Sequence, residues 1–174
     1  AEKTLSAPDC PWRDPLVPLE DTVATINMDA IQVIGKTRDV VVIGFGNSEL
    51  EDILKRKAEE QGRIIVPEPT PENGFYYRSD HFNFARAGVP SLYPKNGIDH
   101  VEKGEAHGRQ VASDYVATRY HKPSDEYDPN WDLSGNQQDT ELLYAVAREL
   151  ADGSTWPNWY EGTEFRAKRV AMGR

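Results

Sequence analysis

Between Asp39 and Val66 the chain runs through an apolar segment, a glycine break, a helical pattern and a second apolar segment, and no other stretch restricts the fold as much. Asp39-Val40-Val41-Val42-Ile43 has the β-branched composition of a strand and stops at Gly44-Phe45-Gly46. Ser48 stands where a helix N-cap belongs, and Glu51, three residues on, completes the capping-box pattern. Leu50, Ile53, Leu54 and Ala58 then recur at helical spacing, and Gly62 closes the helix. Arg63 to Val66 follows as a short strand. A strand, a helix and a strand in that order form a βαβ unit, which places the chain in the α/β class.

The remaining segments fit around that unit. Residues Ala1 to Glu20 carry Pro8, Pro11, Pro15 and Pro18 and read as a loop. Thr22 to Met28 (TVATINM) is β-branched and apolar, a buried strand ending at Asp29. Asp80 to Ala87 reads as a short helix capped by Ser79 and stopped by Gly88, with a strand over Val89 to Tyr93. Lys95 to Lys122 is polar and contains glycine; it reads as a long loop with a helical turn near Gln110 to Thr118, and loops of that length inside a compact domain are usually functional. Leu142, Leu143, Val146 and Leu150 mark an amphipathic helix over Asp139 to Ala151, and the tail Trp156-Pro157-Asn158-Trp159 supplies aromatics that pack onto the domain. No repeat interrupts the pattern, so residues 1–174 are read as one domain, a length sufficient for a real core.

Charge narrows the partners. The 20 basic and 29 acidic residues leave a formal charge of −9, and the basic residues are scattered apart from Arg166, Lys168 and Arg169. Nucleic-acid binding needs clustered cations that displace counterions, so it is not expected here. A net negative charge mildly favours cationic partners. The lone Cys10 cannot form an intrachain disulfide. No run of about 18 apolar residues is present, so no membrane span is expected. No signal peptide is legible, and the start Ala-Glu-Lys, without an initiator Met, reads as a trimmed terminus.

Three places in the sequence can carry chemistry. Asp29 follows an apolar strand directly, where ligands of open α/β sheets gather; it is either a metal or amine ligand or a turn-capping carboxylate. Ser79-Asp80-His81 opens the short helix, and its Asp and His are equally compatible with capping and a structural imidazole. The three are not a Ser-His-Asp triad, because adjacent helical residues do not face one another. His121 ends the long polar segment ahead of Pro123, a setting suited to a metal ligand or an exposed loop histidine, with Asp125 available to bond its other nitrogen. His100 and His107 read as surface residues. No His-Glu-x-x-His, Cys-x-x-Cys or phosphate-binding glycine loop occurs.

Taken in order, several segments resemble the two-zinc aminopeptidases, whose wider clan includes glutaminyl cyclases, glutamate carboxypeptidases and transferrin-receptor ectodomains. They are Pro15-Leu16-Val17-Pro18-Leu19-Glu20, Ala24-Thr25-Ile26-Asn27-Met28-Asp29, Tyr76-Tyr77-Arg78-Ser79-Asp80-His81-Phe82, Ala85-Arg86-Ala87-Gly88-Val89-Pro90, Tyr120-His121-Lys122-Pro123-Ser124-Asp125-Glu126, and the ending Trp156-Pro157-Asn158-Trp159 with Glu164-Phe165. Ala30 departs from the Met more usual in the family. The resemblance implies a zinc-exopeptidase-like fold, a mixed central sheet flanked by helices, of which this chain holds the C-terminal part without the N-terminal strands.

The resemblance also implies roles. Asp29 and His121 correspond to terminal ligands of the two zinc ions. Glu2 corresponds to a metal-binding Glu if Ala1-Glu2-Lys3-Thr4-Leu5 is the remnant of the strand end that carries a Glu-Glu pair. Tyr76 corresponds to a tyrosine that hydrogen-bonds the tetrahedral intermediate, Asp80 to an orienting active-site carboxylate, and Tyr76 with His81 to contacts with substrate. In such enzymes two zinc ions lower the pKa of a shared water, a Glu acts as general base, and carboxylates capture the free N-terminus of the peptide. The family's remaining His, bridging Asp and catalytic Glu have no recognisable counterpart here. The chain alone is therefore expected to be inert and to pair with an N-terminal half or a second copy. A non-catalytic binding module on the same fold and a glutaminyl-cyclase-like acyl transferase are the alternatives. The family also implies a secreted or periplasmic location.

Overall fold

The computed structural model describes residues 15–29 and 33–174. Its centre is a four-stranded mixed sheet in the order β1-β4-β2-β3, formed by Thr25–Ile26, Asp39–Ile43, Ile64–Pro67 and Ser91–Asn96 numbered along the chain. β2 and β3 run parallel, joined by helix α1 (Leu50–Glu60), so the βαβ unit is present as read. β4 runs antiparallel to β2, with Val41 opposite Lys95 and Ile43 opposite Tyr93, and parallel to β1. The sheet is mixed and helix-flanked, in agreement with the fold that the resemblance implies.

All five residues of β2 are buried, because both faces of the sheet are covered. Val40 and Val42 face α1 and the long helix α4 (Ser134–Asp152), packing with Leu50, Leu54, Leu142 and Val146. Val41 and Ile43 face the other way, onto Tyr76, Ala85, Tyr93, Trp159 and Phe165. Each fully buried leucine contributes about 2 kcal/mol through apolar area removed from water. Trp159 closes the second layer: it is fully buried, and its indole N–H donates to the Gly88 carbonyl at 2.9 Å. Gly88, at φ +105°, ends helix α2 (His81–Ala87) in the left-handed conformation and lies against the backbone of Lys168 and Arg169 at the start of helix α5 (Arg166–Ala171).

Several local expectations change. The first strand contracts from Thr22–Met28 to Thr25–Ile26, because β1 has one partner, β4, and its other edge has none among the described residues. β4 starts and ends later than expected and reaches Asn96 through its pairing with β2. The stretch expected to be a long loop contains helix α3 over Gly104–Thr118. His100 is buried, not a surface residue; its Nδ1 accepts the backbone N–H groups of Glu102 and Lys103 and so shapes the entry to α3. The capping box at α1 is half made. The Glu51 carboxylate collects the N–H groups of Gly46, Asn47 and Ser48 at 2.8–3.3 Å, while the buried Ser48 hydroxyl caps nothing. Ser79 does not cap α2 either; Asp80 holds the N-cap position and makes no side-chain cap bond. Among the described residues no helix is long and apolar enough to cross a membrane.

Candidate functional site

Asp29 follows β1 on a short extension that continues the pairing through the Asn27 N–H to the Leu92 carbonyl at 2.8 Å. Its side chain is exposed, yet one of its oxygens is fixed. Oδ2 accepts the Ser79 hydroxyl at 2.8 Å and the Tyr93 hydroxyl at 3.2 Å. Ser79 is itself placed by the Asn27 amide, which donates to its Oγ at 2.8 Å. Three elements thus converge on one carboxylate: the end of β1, the turn before α2, and β4. Two hydroxyl donors on one oxygen set the plane of the carboxylate, and Oδ1 has no hydrogen bond to any described residue. That is the arrangement expected of a carboxylate oriented toward a cation or an amine.

Tyr93 was not legible as a site residue. It lies 64 positions from Asp29 in sequence, and only the β1–β4 pairing brings them together. The Tyr93 phenol is held well above its ordinary pKa, first by burial and next by the Asp29 charge, with the Tyr120 phenol adding to the shift. Tyr93 therefore stays a hydroxyl donor at physiological pH.

Beside Tyr93 lies an aromatic group that includes two of the expected residues. His81 is 2% exposed, with its ring edge-on to Tyr76 at 4.7 Å and tilted against Tyr93 at 4.9 Å. Neither ring nitrogen has a hydrogen-bond partner among the described residues. Burial pushes its pKa down to about 4, against the opposing pull of Asp29, so the imidazole is neutral near pH 7. Tyr76 is also buried; its hydroxyl has no partner among the described residues, and burial raises its pKa well above that of a free phenol. The Tyr76 ring packs on Gly44, at φ +71°, where a β-carbon would overlap the ring. Asp80, the expected orienting carboxylate, is exposed at the head of α2. Nearby, Glu68 is buried: one oxygen accepts the Gly44 N–H at 3.0 Å and the other has no partner among the described residues.

His121 sits apart from this group in the turn after α3. It is exposed, its ring stacks on Tyr120 at 3.9 Å, and at φ 57° it is the only non-glycine residue among those described with positive φ. Such a backbone costs a non-glycine residue on the order of 1 kcal/mol. Asp125 does not bond the imidazole; it accepts the Tyr115 hydroxyl at 2.9 Å. Glu2 lies outside the described residues.

Asp29 and His121 are chemically suited to zinc, which takes carboxylate oxygen and imidazole nitrogen. Yet among the described residues no group of three or more His, Cys, Asp or Glu is placed to hold a metal ion. The described residues alone thus do not make up a zinc site, since catalytic zinc normally has three protein ligands.

Of the known protein families compared with the chain, Peptidase family M28 matches over residues 9–145, well over half of the 174. No curated protein and no solved structure matches the chain.

Proposed function

This chain belongs to Peptidase family M28, a family of zinc-dependent peptidases, and from that premise we propose that it forms the C-terminal part of an aminopeptidase catalytic domain. The reaction is hydrolysis of N-terminal peptide bonds by water activated at a two-zinc centre. Asp29 is a ligand of one ion and His121 of the other. Glu2, outside the described residues, is a third candidate ligand. The remaining ligands come from an N-terminal part of the domain or from a second copy.

The observation that supports this reading best is the fixing of Asp29. An exposed carboxylate would ordinarily rotate freely, and a structural turn cap would spend its oxygens on backbone N–H groups. Asp29 instead has two side-chain hydroxyls on a single oxygen. Next to it, Tyr76 and His81 hold polar atoms without partners, available to substrate if the packing around them opens. The Tyr76 hydroxyl is suited to donate to a developing oxyanion, because its raised pKa keeps the proton in place. The neutral His81 imidazole can donate or accept toward a peptide group. Asp80, at the mouth of the same segment, orients groups around it in this reading.

Peptide binding tests the exopeptidase part. Calorimetric titration of the zinc-supplemented chain with Leu-Gly-amide should give binding that N-acetylation of the peptide weakens at least about tenfold, since the ammonium is then lost. Equal affinity for the acetylated and free peptides would contradict an aminopeptidase.

A further inference from the structure

One cation near Asp29 forms no ion pair with any described carboxylate. Lys95 lies on β4 two residues beyond Tyr93, so the two side chains share a face of the sheet. Its ammonium sits 4.9 Å from the Phe75 ring centroid and 5.7 Å from that of Tyr93, held between two aromatic rings. The side chain is half-buried, and no described carboxylate forms an ion pair with it. Asp29 and Glu68 are the two carboxylates whose charges reach it: Asp29 holds Ser79 and Tyr93 on one oxygen, and Glu68 accepts the Gly44 N–H on one oxygen and keeps the other without a partner among the described residues, yet neither forms an ion pair with Lys95.

The other buried cations are treated differently. Arg63, 2% exposed, pairs with Asp139 at 2.7 Å and also donates to Thr37 and the Asp39 carbonyl. Arg169, fully buried, donates to the Thr22 and Val23 carbonyls. A partly desolvated ammonium left without an anion is costly, and aromatic faces offset only part of that cost. Arg63 and Arg169 support the fold; among the described residues Lys95 makes neither a hydrogen bond nor an ion pair, beside the candidate site.

We propose that Lys95 anchors a carboxylate of the bound peptide, making this site selective for substrates with an acidic N-terminal side chain or a free C-terminus near the scissile bond. The inference rests on the reading of Asp29 as part of the catalytic centre, because that is what places Lys95 within reach of substrate. It also sets the local preference against the −9 charge of the whole chain. Overall charge favours cationic partners at long range, whereas the group touched at this site is an anion held by one ammonium.

The test uses the full chain and two matched peptide pairs in a calorimetric titration. Glu-Gly-amide against Gln-Gly-amide isolates a side-chain carboxylate; Leu-Gly against Leu-Gly-amide isolates a C-terminal one. The carboxylate member of at least one pair should bind about tenfold tighter or more, and which pair responds identifies the source of the anion. Lys95→Met should erase that preference, and Lys95→Arg should keep it. Equal affinities within both pairs would overturn the proposal, as would a preference that survives Lys95→Met. The wild-type comparison decides the matter even if a variant fails to fold. Loss on N-acetylation together with equal affinities in both pairs would remove the role of Lys95 and leave the aminopeptidase reading standing; absence of binding by all of these peptides would remove both.

Discussion

His81 shows how far a single residue could be read. Its type and position beside Asp80 were visible, but its state was not: burial between Tyr76 and Tyr93 came from packing between the turn before α2 and β4. That burial has a measurable consequence. The folded pKa is depressed to about 4 from an ordinary 6.5, so the unfolded chain binds more protons across that interval. Stability is then fully present above pH 6.5 and declines as pH falls toward 4. Urea unfolding at pH 7 and pH 5 should show a loss of about 1–2 kcal/mol from this group, and His81→Phe, which cannot titrate, should remove that component. An unchanged pH dependence in the variant would mean that the imidazole is not held neutral by the fold. Asp29 was legible from its place after an apolar strand, whereas its donors were not. Ser79 had the appearance of a helix cap, and Tyr93 and Lys95 gave no local signal beyond strand alternation, which puts them on one face without saying what that face meets.

At the scale of elements, legibility followed the strength of the apolar pattern. β2, α1 and α4 carry dense Val, Ile and Leu at regular spacing and form where the pattern places them. Helix α3 carries two glycines and few apolar residues, and only Gly108 is buried, so its periodicity was too faint to distinguish from a loop. Other forces hold it: ion pairing of Arg109 with Glu105, the Gln110–Asp114 bond, and close approach to the backbone at Ile98. Gly108 permits that approach, because a β-carbon there would overlap the Ile98 carbonyl. Gly108→Ala raises intrinsic helix propensity yet should destabilise the protein by about 1–3 kcal/mol in chemical denaturation, since backbone has to move. A neutral or stabilising result would show that α3 is not docked in this way. The position of α3 bears on function because the turn that follows it carries Tyr120 and His121.

For the whole molecule, family and architecture were both readable, because they rest on the order of many weak motifs and on a βαβ unit, not on any one residue. The metal centre is a proposal from the resemblance to the family. Its two candidates among the described residues sit on separate segments, one fixed by Ser79 and Tyr93 and the other on a left-handed turn, with no third ligand beside them. An ion held by a single protein ligand binds weakly. Calorimetric titration of the 174-residue chain with zinc, repeated on Asp29→Ala and His121→Ala, therefore tests the account most directly. The account predicts a dissociation constant weaker than about 1 μM, with zinc affinity lowered further in both variants. Zinc binding that is indifferent to both substitutions would contradict the assignment of Asp29 and His121 as metal ligands.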